Sequence, residues 1–220
     1  MSDQKGLYVQ FGCGLCAPEG WRNFDASPTL RFERLPVVGR LYTRNRERFP
    51  SSVEYGDIVA GLPVGDNSCR GVYCSHVLEH LSLEEFRTAV RNTFQVLGPG
   101  GIFRFVLPDL EFVIQEYIRD SSPEAANRFM RNTILGRERR SRRFTSLLSE
   151  WLGNFRHLWM WDYKAIASEL EQVGFSDIRR AVFGDSSDTA FNAAEDESRW
   201  LHALGMECRK PQEALIRNAA

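Results

Sequence analysis

Apolar and polar positions along this chain follow two periods in turn. Leu7-Tyr8-Val9-Gln10-Phe11 is a short apolar run closed by Gly12-Cys13-Gly14. Trp21-Arg22-Asn23-Phe24 is a second, closed by Asp25-Ala26-Ser27-Pro28, and both predict strands. Ser52-Val53-Glu54-Tyr55 predicts a weak third strand, and Gly71-Val72-Tyr73-Cys74-Ser75 a fourth. The pattern then changes to helical spacing. Ser82 and Glu85 form a capping box, and Phe86, Ala89, Val90, Phe94 and Leu97 recur on one face. Gly98-Pro99-Gly100-Gly101 predicts the stop of that helix. Ile102 to Leu107 is a near-continuous apolar run, as in a parallel strand buried on both faces. Arg104 interrupts it, and no neighbour in the sequence accounts for its charge.

Beyond that strand, residues 110–150 predict a mostly helical block. Tyr163 to Val173 predicts another helix, stopped by Gly174. Phe175 to Phe183 and Arg199 to Cys208 read as strands, with the polar, acidic stretch Gly184 to Ser198 as a loop between them. Residues 29–50 give no firm prediction. Strands alternating with helices argue for a doubly wound α/β sheet, and 220 residues suit a single domain.

Composition narrows the class. Apolar residues make up 43% and charged residues 26%, the proportions of an ordinary soluble globular protein. No stretch approaches ~20 consecutive apolar residues, so no membrane span is expected. The N-terminus shows no cleavable apolar segment, which makes a cytoplasmic location the expectation. With 29 acids against 28 bases, the net charge of −1 gives no global reason to expect nucleic acid. The balance is local nonetheless: residues 128–143 hold seven Arg and one Glu, and Asp185, Asp188, Glu195, Asp196 and Glu197 fall in the late loop. Five cysteines, an odd number, make a disulfide framework improbable. A zinc site from Cys13-x-x-Cys16 and Cys69-x4-Cys74 is disfavoured, because Cys13 lies between glycines and Cys74 in an apolar run; no metal is expected.

In an open parallel sheet, ligands bind beyond the carboxyl ends of the strands. This chain places Gly12-Cys13-Gly14, Asp25, Gly56-Asp57, Ser75-His76 and Pro108-Asp109 there. Gly12-x-Gly14-x-x-Ala17 matches a dinucleotide fingerprint, but Asp25 follows Gly14 by 11 residues where that fingerprint expects an acid about 20 on. Pro18 and Gly20 leave little room for a helix whose N-terminus would carry a pyrophosphate. A ligand with a ribose but no phosphate suits the shortened turn better.

Taken in order, several segments resemble a class I S-adenosylmethionine-dependent methyltransferase of the type 11-like group. They are Val9-Gln10-Phe11-Gly12-Cys13-Gly14, Gly20-Trp21-Arg22-Asn23-Phe24-Asp25, Gly56-Asp57 with Leu62-Pro63, and Ser75-His76-Val77-Leu78-Glu79-His80-Leu81. Val96-Leu97-Gly98-Pro99-Gly100-Gly101, Val106-Leu107-Pro108-Asp109-Leu110, His157-x-Trp159-x-Trp161-Asp162, Gly174-Phe175 and Leu204-Gly205-Met206-Glu207 continue it. The resemblance spans nearly the whole chain except residues 29–50 and 121–155, and Cys16 departs from the commoner third glycine of the loop. It implies a Rossmann-like, seven-stranded, mostly parallel sheet in one domain, residues 1–220. A helical, substrate-covering insertion would span residues 110–155, before the sixth strand. It implies S-adenosylmethionine as cofactor, with Gly12, Cys13 and Gly14 under its methionine part, Asp25 on the ribose, and Asp57 and Ile58 near the adenine. Ser75 and His76 would line the route to the methyl group.

Each residue also has a plainer reading. Asp25 and Asp57 can serve as turn residues, His80 can cap or pack locally, and Asp109 can cap the next helix rather than reach substrate. Trp159 and Trp161 are either a core face or an aromatic wall for the acceptor. His157 is the best general-base candidate, with His76 and Asp109 as further catalytic candidates, since imidazole takes a proton near neutrality. No metal-binding acid cluster and no Asn/Asp-Pro-Pro-aromatic motif is evident, which favours O-methylation of a small-molecule or sugar-derived acceptor. Within Arg137-Glu138-Arg139-Arg140-Ser141-Arg142-Arg143, Arg139 and Arg140 would clamp an anionic group on that acceptor, unless the run is a solvated helix face. The alternatives are an RNA methyltransferase and a non-catalytic partner subunit of the same fold. A homodimer stays open.

Overall fold

The computed structural model describes residues 6–36, 47–136, 138 and 156–212. Within them lie seven strands: β1 Leu7–Phe11, β2 Trp21–Asp25, β3 Val53–Tyr55, β4 Cys69–Ser75, β5 Leu97–Pro108, β6 Ser176–Ala181 and β7 Ala203–Arg209. They form one sheet in the order β3-β2-β1-β4-β5-β7-β6. β1 runs parallel to β2 and β4, β2 to β3, and β4 to β5, while β7 is antiparallel to both β5 and β6. The chain order reverses beside β1, between β1 and β4, the kind of point at which open α/β sheets bind ligands beyond the carboxyl ends of their strands.

Helices described alongside are α1 Pro28–Glu33, α2 Leu83–Val96, α3 Leu110–Arg119, α4 Ala125–Asn132 and α5 Tyr163–Val173. α2 has the expected capping box on Ser82 and Glu85 and buries Phe86, Ala89, Val90, Thr93 and Val96. Leu97, expected on its last turn, instead takes an extended conformation, and β5 starts there. The glycines that follow are therefore strand and not helix stop. Gly100 N–H donates to the Lys210 carbonyl at 2.8 Å and Lys210 N–H to Gly101 at 2.9 Å, pairing this stretch with the end of β7. α5 does end on Gly174, at φ 109°. β7 begins at Ala203 and not Arg199, because Glu197–Arg199 is a 3-10 turn and His202 turns the chain at φ 59°.

The two faces of the sheet differ in chemistry. Val9, Phe11, Phe24, Val72, Cys74, Phe103, Phe105, Met206 and Cys208 form the apolar face, packed with Phe86, Val90, Ile166 and Leu170 of α2 and α5. Burying such side chains stabilises the fold by about 1.5–3 kcal/mol each. On the opposite face the register aligns Asn23, Gln10, Tyr73, Arg104, Glu207 and Arg179 in one row. The segment between β6 and β7 covers part of it, with Phe191 and Ala194 packed on Tyr73 and Ile102. α3 and α4 give the first half of residues 110–155 the expected helical character; 137 and 139–155 lie outside the described residues. Among the described residues, no helix is long and apolar enough to cross a membrane.

Candidate functional site

β1 ends in a loop with two glycines in the left-handed region, Gly12 at φ +61° and Gly14 at φ +56°. A Cβ on Gly12 would lie 2.3 Å from Val77 Cγ2, so this glycine lets the segment after β4 pack onto the loop. Gly14 has no heavy atom within 4 Å of such a Cβ and faces open space. A side chain there would fill the cradle and strain the backbone together.

Asp25, buried at the end of β2, locks the loop in place. Its Oδ2 accepts the Gly14 N–H at 3.0 Å and its Oδ1 the Ser27 N–H at 2.7 Å. Cys13 N–H also donates to the Phe24 carbonyl at 3.1 Å. An ionised carboxylate offers about four acceptor directions, so two remain for a ligand's hydroxyls. Gly56 N–H donates to the Asp25 carbonyl at 3.2 Å, which brings Asp57 beside the same strand end. Asp57 Oδ1 accepts the Val59 N–H at 2.8 Å in a local turn, while the Ile58 side chain belongs to the apolar core. The Cys13 side chain is likewise buried, and its thiol pKa is pushed up to about 12, chiefly by desolvation. Its side chain faces the core, so Gly14 and Asp25 present the polar surface.

At the end of β4, Ser75 is buried and His76 adopts φ +53°. Both His76 ring nitrogens are engaged: Nδ1 lies 3.2 Å from Glu79 Oε1 and Nε2 2.9 Å from the Arg199 carbonyl. Burial lowers its pKa, but the bonds to Glu79 and Arg199 outweigh that and raise it overall. His157 is buried against His80, with ring centroids 5.0 Å apart. Desolvation leads the causes that lower its pKa, so it is neutral near pH 7, and its buried Nδ1 has no hydrogen-bond partner among the described residues. The segment carrying it is tied to the end of β4, since Leu158 and Trp159 both donate their N–H to the Glu79 carbonyl, at 2.7 and 3.2 Å.

For two candidates the structure shows the contacts of the plainer reading. Asp109 is a helix cap: its Oδ1 accepts the Glu111 N–H at 2.9 Å at the start of α3, and Arg180 approaches its Oδ2 at 3.3 Å. Trp161 is core and not acceptor wall: it is 2% exposed and packs on Phe86 at 4.1 Å between centroids. Trp159, at 42% exposed, is the one of the pair that a ligand can reach. Arg139 and Arg140 lie outside the described residues. Glu79 is not singled out by the sequence, and His80 reads there as a residue that caps or packs locally. Their only signal there is adjacency in the turn after β4, and their partner His157 is 77 positions away from His80.

A methyltransferase-domain family model matches residues 34–105. No curated protein matches the sequence. Similar solved structures include a Haloferax volcanii complex of the Trm112 methyltransferase activator with a methyltransferase, at 15% identity and TM-score 0.49, covering 95% of this chain and 84% of that one. A Thermotoga maritima S-adenosylmethionine-dependent methyltransferase aligns at 14% identity and TM-score 0.49, over 93% of this chain and 82% of that one. One from Archaeoglobus fulgidus aligns at 16% identity and TM-score 0.47, over 94% and 88%. The family match covers the stretch leading into β3 through to β5, and the glycine loop and Asp25 precede it at the ends of β1 and β2. Over residues 34–105 the chain thus matches a methyltransferase domain, which supports S-adenosylmethionine as its cofactor.

Proposed function

We propose that this chain transfers a methyl group from S-adenosylmethionine to a hydroxyl oxygen of a small-molecule or saccharide acceptor. The observation that carries the reading is the cradle formed by Gly14 and Asp25: an open-faced glycine fixed by a carboxylate that still has acceptor directions to offer. The cofactor supplies an electrophilic methyl on its sulfonium. The chain's own part is to hold the acceptor in line with that methyl and keep the geometry fixed, which can account for much of the rate. Gly12 and Gly14 would lie under the methionine portion, Asp25 would accept from the ribose hydroxyls, and Asp57 would stand near the adenine.

Oxygen is favoured as the acceptor atom because a hydroxyl must lose a proton on methylation, and the end of β4 carries imidazoles. His76 has both nitrogens engaged, so the Glu79, His80 and His157 cluster is where the fate of that proton is set. Trp159, exposed beside it, gives an acceptor an aromatic surface. The Arg-rich run from Arg137 to Arg143 supports an anionic acceptor, with Arg139 and Arg140 as its clamp.

Release of S-adenosylhomocysteine across a panel of neutral and anionic hydroxyl and amine acceptors tests this. Turnover is expected with hydroxyl acceptors, and the double charge reversal Arg139→Glu, Arg140→Glu should raise KM for the anionic ones about tenfold with kcat little changed. Turnover confined to amines would overturn the oxygen assignment. An unchanged KM would remove the clamp.

A further inference from the structure

We infer that Glu79, His80 and His157 form a binding site for a divalent transition-metal cation of the zinc class. Each offers one ligand atom, and these atoms all lie within 4.8 Å of one another. Tetrahedral zinc with bonds of about 2.0–2.1 Å needs its ligands about 3.3 Å apart, so binding requires the three to draw together by no more than about 1.5 Å.

Three independent features point into this space. Glu79 has no exposed surface, and its buried Oε2 has no hydrogen-bond partner among the described residues. A carboxylate so placed is costly unless a cation or full hydrogen bonding compensates it. His157 Nδ1 is the second buried atom without a partner there. The third feature is orientation: His80 Nδ1 lies 2.8 Å from the Arg156 carbonyl, which makes Nδ1 the protonated nitrogen. Its Nε2 then carries the lone pair, 3.9 Å from Glu79 Oε1. A backbone carbonyl behind a histidine ligand, fixing its tautomer, is the usual outer partner in metal sites. His76 plays the same part for the carboxylate, with Nδ1 at 3.2 Å from Glu79 Oε1.

The donor set decides the class of ion. Two imidazoles and one carboxylate suit zinc and its neighbours, whereas magnesium keeps to oxygen ligands and water. Three protein ligands also leave a fourth position open, as in catalytic zinc sites. His157 is only 7% exposed, which admits a small ion more readily than an organic acceptor. The site deepens the proposed reaction but does not depend on it. With a cation bound, His157 is a ligand and not a free base, and lowering the acceptor's proton affinity passes to the metal.

The test uses the full chain, stripped with a chelator and dialysed against zinc or magnesium chloride. One zinc per chain is expected, competing at least tenfold better than magnesium, and retained by Cys13→Ser, Cys16→Ser. His157→Ala and Glu79→Gln should each lower zinc affinity at least tenfold, with circular dichroism confirming that they fold. Cobalt(II) on the wild-type chain should give visible d–d bands without thiolate charge transfer, which keeps the test valid if a variant unfolds. No stoichiometric zinc, equal zinc in the variants, a thiolate band, or preference for magnesium would each overturn the inference. None of these readouts involves S-adenosylmethionine, so failure here and failure of the methyl-transfer reading are separable.

Discussion

Arg104 shows what a single side chain does in this fold. It stands in mid-strand with no exposed surface, and its guanidinium reaches Glu195, Asp185 at 2.9 Å, Glu207 at 3.1 Å and the Val182 carbonyl at 2.7 Å. The Trp200 ring lies 4.6 Å from the Arg104 Cζ. Arg179 closes the network by bonding Asp185 at 2.6 Å and Glu207 at 2.9 Å. The charge that interrupts an apolar run and the acids crowded into a distant loop are thus two halves of one structure. Replacing Arg104 by Met leaves the buried Glu195 carboxylate short of its main cation, which should cost about 3–5 kcal/mol. Urea unfolding checks this, and Glu195→Gln in the same background should recover part of the loss. The Arg104 and Arg179 guanidiniums hold the Asp185 carboxyl below the usual carboxylate range, against the desolvation that opposes them. Its contribution is therefore complete above about pH 4 and is lost as pH falls through the lowered value, so the wild-type advantage should shrink in acid. An Arg104→Met chain with the wild-type urea midpoint would contradict the account.

Among the elements, the β6–β7 pair is closely fitted at Gly205. A Cβ on Gly205 would lie 2.1 Å from Trp200 Cζ3 and 2.5 Å from the Ala181 carbonyl oxygen, so only glycine lets the indole lie on β7 beside its partner strand. Gly205→Ala should destabilise the chain by about 1–3 kcal/mol by overpacking, read as a lower thermal midpoint with the opening concentrated in β6 and β7 by hydrogen exchange. Uniform exchange with no loss of stability would show that the fit is loose. The elements with strong local signals were legible beforehand: β1, β2 and β5 from their apolar runs, α2 from its capping box, and α5 from Gly174. Ends set by tertiary pairing were not. Leu97 joins β5 because Cys69 of β4 pairs with it, and Gly100 and Gly101 because Lys210 does, and nothing near Leu97 in the sequence announces that. The same holds within the site. The glycines and Asp25 are readable from position after a strand, whereas Glu79, His80 and His157 meet only when the segment after α4 returns to β4. For Asp109 and Trp161, where motif position leaves two readings open, the contacts are those of a cap and of the core.

At the scale of the whole molecule, one face of the sheet is committed to the apolar core, and the candidate site lies at one end. The apolar face and its two helices bury most of the large side chains. The row from Asn23 to Arg179 on the other face is covered in part by the segment between β6 and β7, with charge confined to the half farther from β1. This leaves the carboxyl ends of β1, β2 and β4 as the place where glycine, carboxylate and imidazole gather. The near-neutral chain is accordingly divided: acids of the late loop neutralise Arg104 and Arg179, while the Arg run at 137–143 lies in the sequence segment expected to cover the acceptor. The central claim is that the Gly14–Asp25 cradle holds S-adenosylmethionine, and titration calorimetry of the full chain measures it most directly. The account predicts one cofactor per chain in the micromolar range, weakened at least tenfold in Gly14→Val while the variant stays folded. No heat of binding at high micromolar cofactor, or equal affinity in the wild type and Gly14→Val, would contradict it.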